Sequence, residues 1–312
     1  MKTKVFLFAA LAAATVSMTS CNNDDEVMDN SPVEIRLSSG ITAQTRAAFP
    51  QTDEQIADGR TVSVYVDDAM ATTQLYGNNV LTANGAGGFT GGTPMYFPQT
   101  GNNVDIYAFH TNGTLDATFP TAAITHTVSA NQTALAGYVD SDLLYASSKG
   151  VARTSSAVNL TFYHLLSKIQ VAVAAGSGLA ASDIDKVEIL GTLPNAEFTP
   201  NKAADADAQT INATGTPAPI EIGKDISTNF GVGLVYNDAI IVPQAVAAGK
   251  FIQITLNDGG TLAYSLPSTT FVSGKKYIYH ITANLTGLTV TSTIEDWETV
   301  GGIPTTGTAV MD

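Results

Sequence analysis

Cysteine and tryptophan each occur once in the 312 residues, as Cys21 and Trp297. A lone thiol excludes an internal disulfide framework and any metal site built from several cysteines. Charge is also scarce, at 13% of residues, and acids outnumber bases by 28 to 14. Five of the acids and four of the bases precede Ala47, which leaves 23 against 10 in the remainder, a net charge of −13. Such a balance argues against nucleic acid or an anionic membrane surface as partner. The four histidines, His110, His126, His164 and His280, are scattered outside any metal-ligand spacing. Asp205-Ala206-Asp207 lacks the longer oxygen series of a calcium loop. Asp140-Ser141-Asp142 has no assignable role from sequence. A nucleophile elbow, a P-loop and a dinucleotide fingerprint are all absent, so no residue is assigned to catalysis, metal or cofactor, and an enzyme is not expected.

What is present begins with a leader. Lys2 and Lys4 precede an apolar run from Val5 to Val16, and small residues lead to Cys21. This is a secretion signal over 1–20, too short to span a membrane, and no later segment is apolar enough to do so. Met18-Thr19-Ser20-Cys21 resembles a lipobox, whose cysteine is acylated and becomes the first mature residue.

The stretch Ser31–Pro50 organises the rest. Val33, Ile35 and Leu37 alternate with Glu34, Arg36 and Ser38, so one face of an extended chain enters a core while the other stays wet. Gly40 to Thr45 is small and polar, and Arg46 stands before Ala47-Ala48-Phe49 in an exposed linker. A trypsin-like enzyme would cut there. Only Arg36, Arg46, Arg60 and Arg153 exist, and Arg60 is the nearby competitor. The expectation is a temporary strand that completes the subunit, leaves on cutting, and vacates a groove for a strand of another subunit.

From Gly59 onward, short alternating runs are separated by turn residues. Val104, Ile106 and Ala108 share one face of a run whose other face carries Asp105, Tyr107 and Phe109, so both sides are expected to be half buried. Val158 to Val173 reads either as a helix from Phe162 or, preferred, as two strands bent near His164, since its flanks alternate at period two. Asn257-Asp258-Gly259-Gly260 marks the clearest hairpin. Strands at this spacing without sustained helix imply an all-β chain of antiparallel sandwiches.

Several runs, in order, resemble the fimbrillin family of type V pilins and fimbrillin-like lipoproteins of Bacteroidetes-type bacteria. They are the lipobox at Cys21, the Thr45-Arg46 junction, Tyr96-Phe97-Pro98 through Val104–Ala108, Asp142–Ala146, Phe162–Ile169, and Gly274–Tyr277 leading to Ile294-Glu295-Asp296-Trp297. The acidic Asn22–Glu26 similarly resembles the surface-export signal of such lipoproteins. The resemblance implies two tandem transthyretin-like β-sandwiches, over 47–157 and 158–312, behind a propeptide at 21–46. It implies a lipid anchor on Cys21 in the outer membrane, an arginine-specific protease cutting between Arg46 and Ala47, and loss of the strand bearing Val33, Ile35 and Leu37. Polymerisation with other pilin subunits into a cell-surface fimbrium follows, with a host or bacterial surface receptor as a further partner. Within the tail, Val300, Ile303, Ala309, Val310 and Met311 are candidate donor-strand side chains, although Gly301-Gly302 and Pro304 interrupt their alternation. The alternative reading is a monomeric surface lipoprotein or tip adhesin that binds glycan or host protein. Trp297 is expected to plug a core.

Overall fold

The computed structural model describes residues 31–41, 55–227, 237–297 and 303–308, with the side chains of 41, 227, 295, 296 and 303–308 left aside. Within these residues the chain is nearly all β. The first part carries β1 (Leu37–Ile41), β2 (Thr61–Asp68), β3 (Gln74–Ala83), β4 (Phe89–Thr90), β5 (Val104–His110), β6 (Ile124–Thr127) and β7 (Asn131–Gln132). A short helix α1 (Leu135–Val139) precedes β8 (Leu144–Val151), β9 (Val158–His164) and β10 (Ser167–Ala175). Next come β11 (Ile184–Ile189), β12 (Asn195–Phe198), β13 (Ile211–Thr214), β14 (Ile220–Ile222), β15 (Ile226–Ser227) and β16 (Asn237–Ile241). The last group is β17 (Ala245–Val246), β18 (Gly249–Leu256), β19 (Thr261–Leu266), β20 (Thr269–Thr270), β21 (Lys275–Asn284), β22 (Gly287–Asp296) and β23 (Ile303–Thr308).

Seven strands form one sheet in the order β1-β9-β8-β5-β2-β3-β4. A second sheet runs β15-β10-β21-β22-β23, with β16 also on β10, and a third runs β19-β18-β11-β14-β7. Smaller sheets join β13-β12-β6 and β17-β20. Antiparallel pairing dominates, but β1–β9, β10–β15, β10–β21 and β14–β7 are parallel, so the sheets are mixed. Parallel neighbours need long crossovers, which alternation along the chain does not reveal.

Period-two alternation sorts the first sheet's side chains onto two faces. Val62, Val64 and Val66 of β2, with Ile106 and Ala108 of β5, enter a first core together with Leu160 and Phe162. Tyr65, Tyr107, Phe109 and Tyr145 point the other way, into a larger second core shared with Phe119 and Phe198. Their rings meet edge-on or tilted, as between Tyr65 and Phe109 at 5.7 Å and Tyr107 and Phe119 at 5.2 Å. Both faces of β5 are therefore covered, as its sequence predicts. The same second core takes Ile169, Val171 and Val173 of β10, Ile252 and Ile254 of β18, and Tyr277, Tyr279 and Ile281 of β21.

The run Val158–Val173 is two strands, β9 and β10, with the chain turning at Leu165-Leu166. Its β-branched flanks prevail over the helical spacing of its centre. The expected boundary between 157 and 158 falls at the start of β9, which lies in the first sheet, and the change of sheet comes at Leu165-Leu166. The hairpin around Asp258 joins β18 to β19, with Gly259 at φ +88° supplying the left-handed turn residue.

Candidate functional site

The seat of the segment Val33–Ile41 is the candidate site, because this piece of chain connects the two ends of the first sheet. On one side β1 runs parallel to β9, from Leu37 opposite Val158 to Ile41 opposite Phe162, and the Val158 N–H donates to Arg36 O at 2.8 Å. On the other side Ile35 N–H donates to Met95 O at 2.8 Å and Phe97 N–H donates to Val33 O at 2.9 Å. Further along, Ser39 N–H donates to Gly87 O at 2.7 Å, in the turn that leads into β4. One extended segment thus bridges the β9 edge and the β4 end, and the first core lies beneath it.

Three side chains were expected to enter that core, and they do so unequally. Ile35 is buried, while Val33 and Leu37 are half buried against it. The segment sits at the rim, so only its middle apolar residue is covered on every side. Burying Ile35 is worth about 1.5–3 kcal/mol, and each net backbone hydrogen bond about 0.5–1.5 kcal/mol. The polar face contributes little. Arg36 Nε pairs with Glu34 Oε2 at 3.3 Å, with both side chains largely in solvent. A groove of about 400 Å³ runs beside the segment, lined by Ile35, Leu37, Leu81, Phe89 and Met95 among others.

The wall opposite β9 is built from two stretches whose contact with this segment the sequence does not reveal. Asn84 Oδ1 accepts from the N–H groups of Ala86 and Gly88, both at 2.9 Å, which folds the glycine-rich turn back on itself. Gly87 has φ +80°, and a Cβ there would stand 2.8 Å from Ser39 O, so the turn approaches the segment closely only because that position is glycine. Met95 and Phe97, buried in the first core, form the second stretch. The prolines at 94 and 98 that bracket Tyr96 were its legible signal.

Cys21, Arg46, Ala47, Val300, Ala309, Val310 and Met311 lie outside the described residues. Ile303 opens β23, which pairs antiparallel with β22 from Ile303 opposite Ile294 to Thr308 opposite Thr289. Pro304 is tolerated there because β23 lies at the end of its sheet, where a missing N–H breaks no inner ladder.

Other singled-out residues meet away from the seat, in a buried node where the first sheet passes into the second. His164 Nδ1 is 2.8 Å from Asp142 Oδ2, and the imidazole stacks on the Trp297 indole at 3.8 Å with 8° between planes. Lys168 Nζ reaches Asp238 Oδ2 at 3.2 Å with both side chains fully buried, and lies 5.9 Å from the Trp297 ring. Trp297 N–H donates to Gly274 O at 2.7 Å, and Gly274 N–H to Leu166 O at 2.9 Å. Trp297 is a core plug, as expected. Asp140-Ser141-Asp142 does have structural roles. Asp140 pairs with Arg60 at 3.2 Å, Ser141 Oγ donates to Gly137 O at 2.7 Å, and Asp142 holds His164. Arg60 and His164, which the two aspartates meet, are remote in sequence, which is why the triplet was silent. His126 is buried too, with Asn112 N–H donating to its Nδ1 and its Nε2 at 2.9 Å from Ser141 O. Burial holds its imidazole down at a pKa of about 4.

Among the described residues no helix is long and apolar enough to cross a membrane. The described residues form an all-β body whose N-terminal segment spans two ends of one sheet, and the comparisons with known proteins agree with that fold. Residues 45–297 match the model of the fimbrillin-like family, and the chain belongs to that family. It is 28% identical over 327 residues, 99% of this chain and 100% of the relative, to a protein of Bacteroides uniformis named "Putative fimbrium subunit Fim1C". The fold is similar to the crystal structure of a "putative cell adhesion protein" from Bacteroides uniformis, with TM-score 0.62 and 23% identity over 86% of this chain and 99% of that one. It is also similar to the tip fimbrial protein Mfa3 from Porphyromonas gingivalis, with TM-score 0.51 and 12% identity over 85% of this chain and 100% of that one.

Proposed function

We propose that this fimbrillin-like protein is a structural subunit of a cell-surface fimbrium that supports adhesion and is matured by arginine-specific cutting between Arg46 and Ala47. The precursor is acylated on Cys21 and held at the outer membrane until it is cut. Cutting releases the segment that carries Val33, Ile35 and Leu37, and a strand from another subunit takes its seat by β-addition. The tail beginning at Ile303 is the candidate donor. Two sandwich domains in this reading share the first sheet, whose opposite faces serve the two cores.

One observation carries this reading: a single extended segment, anchored by one fully buried side chain, joins the two ends of the first sheet. Its loss uncovers part of the first core and leaves the Met95 and Gly87 carbonyls and the Val158 N–H for an incoming backbone to pair. Arg60, the competing cut site, is ion-paired with Asp140 and half-buried, which favours Arg46 as the bond that is cut.

The test is to treat purified precursor with an arginine-specific protease, sequence the new N-terminus, and run the product without boiling. The expected result is an N-terminus at Ala47 and a ladder of multimers, both lost in Arg46→Ala. Cutting at Arg46 that leaves only monomers under every condition overturns the exchange.

A further inference from the structure

The groove beside Val33–Ile41 lies where two chains part. At its front the segment pairs with the Met95–Phe97 stretch at Glu34–Tyr96, and at its rear with the glycine-rich turn at Ser38–Gly88. Between these two pairs no ladder joins the segment to the wall among the described residues, and the groove of about 400 Å³ fills the gap. The ladder with β9 uses Arg36 O, and strand alternation then turns the Leu37 N–H the other way, toward the groove. The Ile35 and Ser39 N–H groups on either side of it both reach carbonyls across the gap, those of Met95 and Gly87.

The far wall is preformed and bare. Asn79 Oδ1 accepts from Thr93 N–H and Asn79 Nδ2 donates to Thr93 O, each at 2.8 Å, which fixes that wall without help from the segment. Gly91 and Gly92 line it with φ of +77° and +75°, and both are exposed. A Cβ on Gly91 would meet nothing within 4 Å, so the backbone stands open to another chain there. Leu81 and Met95, both buried, make the lining apolar. Glu34 and Arg36 are its only charged residues, and they pair with each other.

Resting on the exchange proposed above, we infer that this groove is the landing site for the tail of a second copy of the chain, which docks while the old segment is still seated and then displaces it. An extended backbone brings a carbonyl to the Leu37 N–H and lies against the bare backbone of Gly91-Gly92. From Thr299 to Met311 the tail carries no charge, which suits a lining whose one cation and one anion cancel. β23 ends its sheet and pairs only with β22 among the described residues, so a single ladder must break to release it from its own subunit. Emptying the seat first would uncover the Ile35 pocket and forfeit every backbone bond of the segment together, whereas a docked chain replaces each bond as it breaks. The groove thus sets the rate of exchange and not its end point.

The test uses precursor cut after Arg46, a synthetic peptide of residues 298–312, and native mass spectrometry to follow release of the N-terminal fragment. The release rate is expected to rise with peptide concentration. Ala157→Trp, at an exposed position of the lining, is expected to slow release by about tenfold or more with the thermal melt and the final extent unchanged. The dependence on peptide concentration needs no substitution, so the test does not hang on the folding of the variant. The landing site is overturned, with the exchange left standing, if the fragment leaves at a rate that ignores the peptide, or if Ala157→Trp exchanges as fast as the unsubstituted protein. If no fragment is released at any peptide concentration, the landing site and the tail's role as donor fall together.

Discussion

The seat of Val33–Ile41 and the node around Trp297 both close a core, yet by opposite means. The seat uses one fully buried aliphatic side chain, two half-buried ones and backbone hydrogen bonds to two sheet ends. The node uses a fully buried indole, a stacked histidine and an ion pair with no solvent contact. Backbone pairing with modest apolar burial is interchangeable, because any extended chain offers the same N–H and C=O groups. Buried charges are not interchangeable, since removing one partner strands the other in a medium of low polarity. Another extended chain could supply the contacts of the seat, as the proposed exchange requires, whereas none could supply those of the node.

The largest break in that contrast comes from Trp297→Ala. Truncating the fully buried indole removes the stacking partner of His164 and leaves a cavity, with an expected loss of about 3–5 kcal/mol. Chemical denaturation checks it, and the midpoint of the whole body is expected to fall. Acid acts next, through a buried histidine beside the node. His126 is held neutral chiefly by burial, with His110 adding to it, against the opposing pull of the Ser141 carbonyl and Asp142. Its folded pKa of about 4 lies below the unfolded value of about 6.5, so the unfolded chain binds the extra proton between them. Stability therefore falls as pH drops from about 6.5 to 4, by about 3 kcal/mol at most from this group. Denaturation at stepped pH is expected to show that slope, flattened in His126→Gln.

Smaller effects belong to the seat. Ile35→Ala is expected to loosen the segment by about 2 kcal/mol. Amide exchange at Ile35 and Ser39 is expected to quicken by more than tenfold while the denaturation midpoint of the node barely moves. A matching fall in both sharpens nothing and merges the two regions into one cooperative unit. Gly87→Ala is smallest, about 1–2 kcal/mol for a side chain in the left-handed region, and its proximity to Ser39 O directs the strain at the same segment. Exchange at Ser39 N–H is the readout.

Much of the fold was legible because alternation is local. Val104–Phe109, Val158–Val173 and the turn at Asp258-Gly259 announced strands, a bend and a hairpin from neighbouring residues alone. Val33, Ile35 and Leu37 were legible as a face for the same reason, but alternation does not say which of them lies at a rim. What joins distant residues stayed hidden. The parallel pairing of β10 with β21 spans a hundred residues, the Lys168–Asp238 pair joins strands of unrelated pattern, and Asp67 meets Lys202 only after β2 and a distant loop converge. The contact of the glycine-rich turn at 84–88 with Ser39 was hidden for the same reason.

The strand order also sets a schedule. Every strand of the first sheet lies between residues 37 and 164, so its pairings are available as soon as that length of chain has emerged. β10 must wait for neighbours at 226–227, 237–241 and 275–284, so the second core is left open until nearly the last residues arrive. During that interval the nascent half-product exposes Ile169, Val171 and Val173 to whatever else is near, and the hairpin of β21 and β22 ends the exposure.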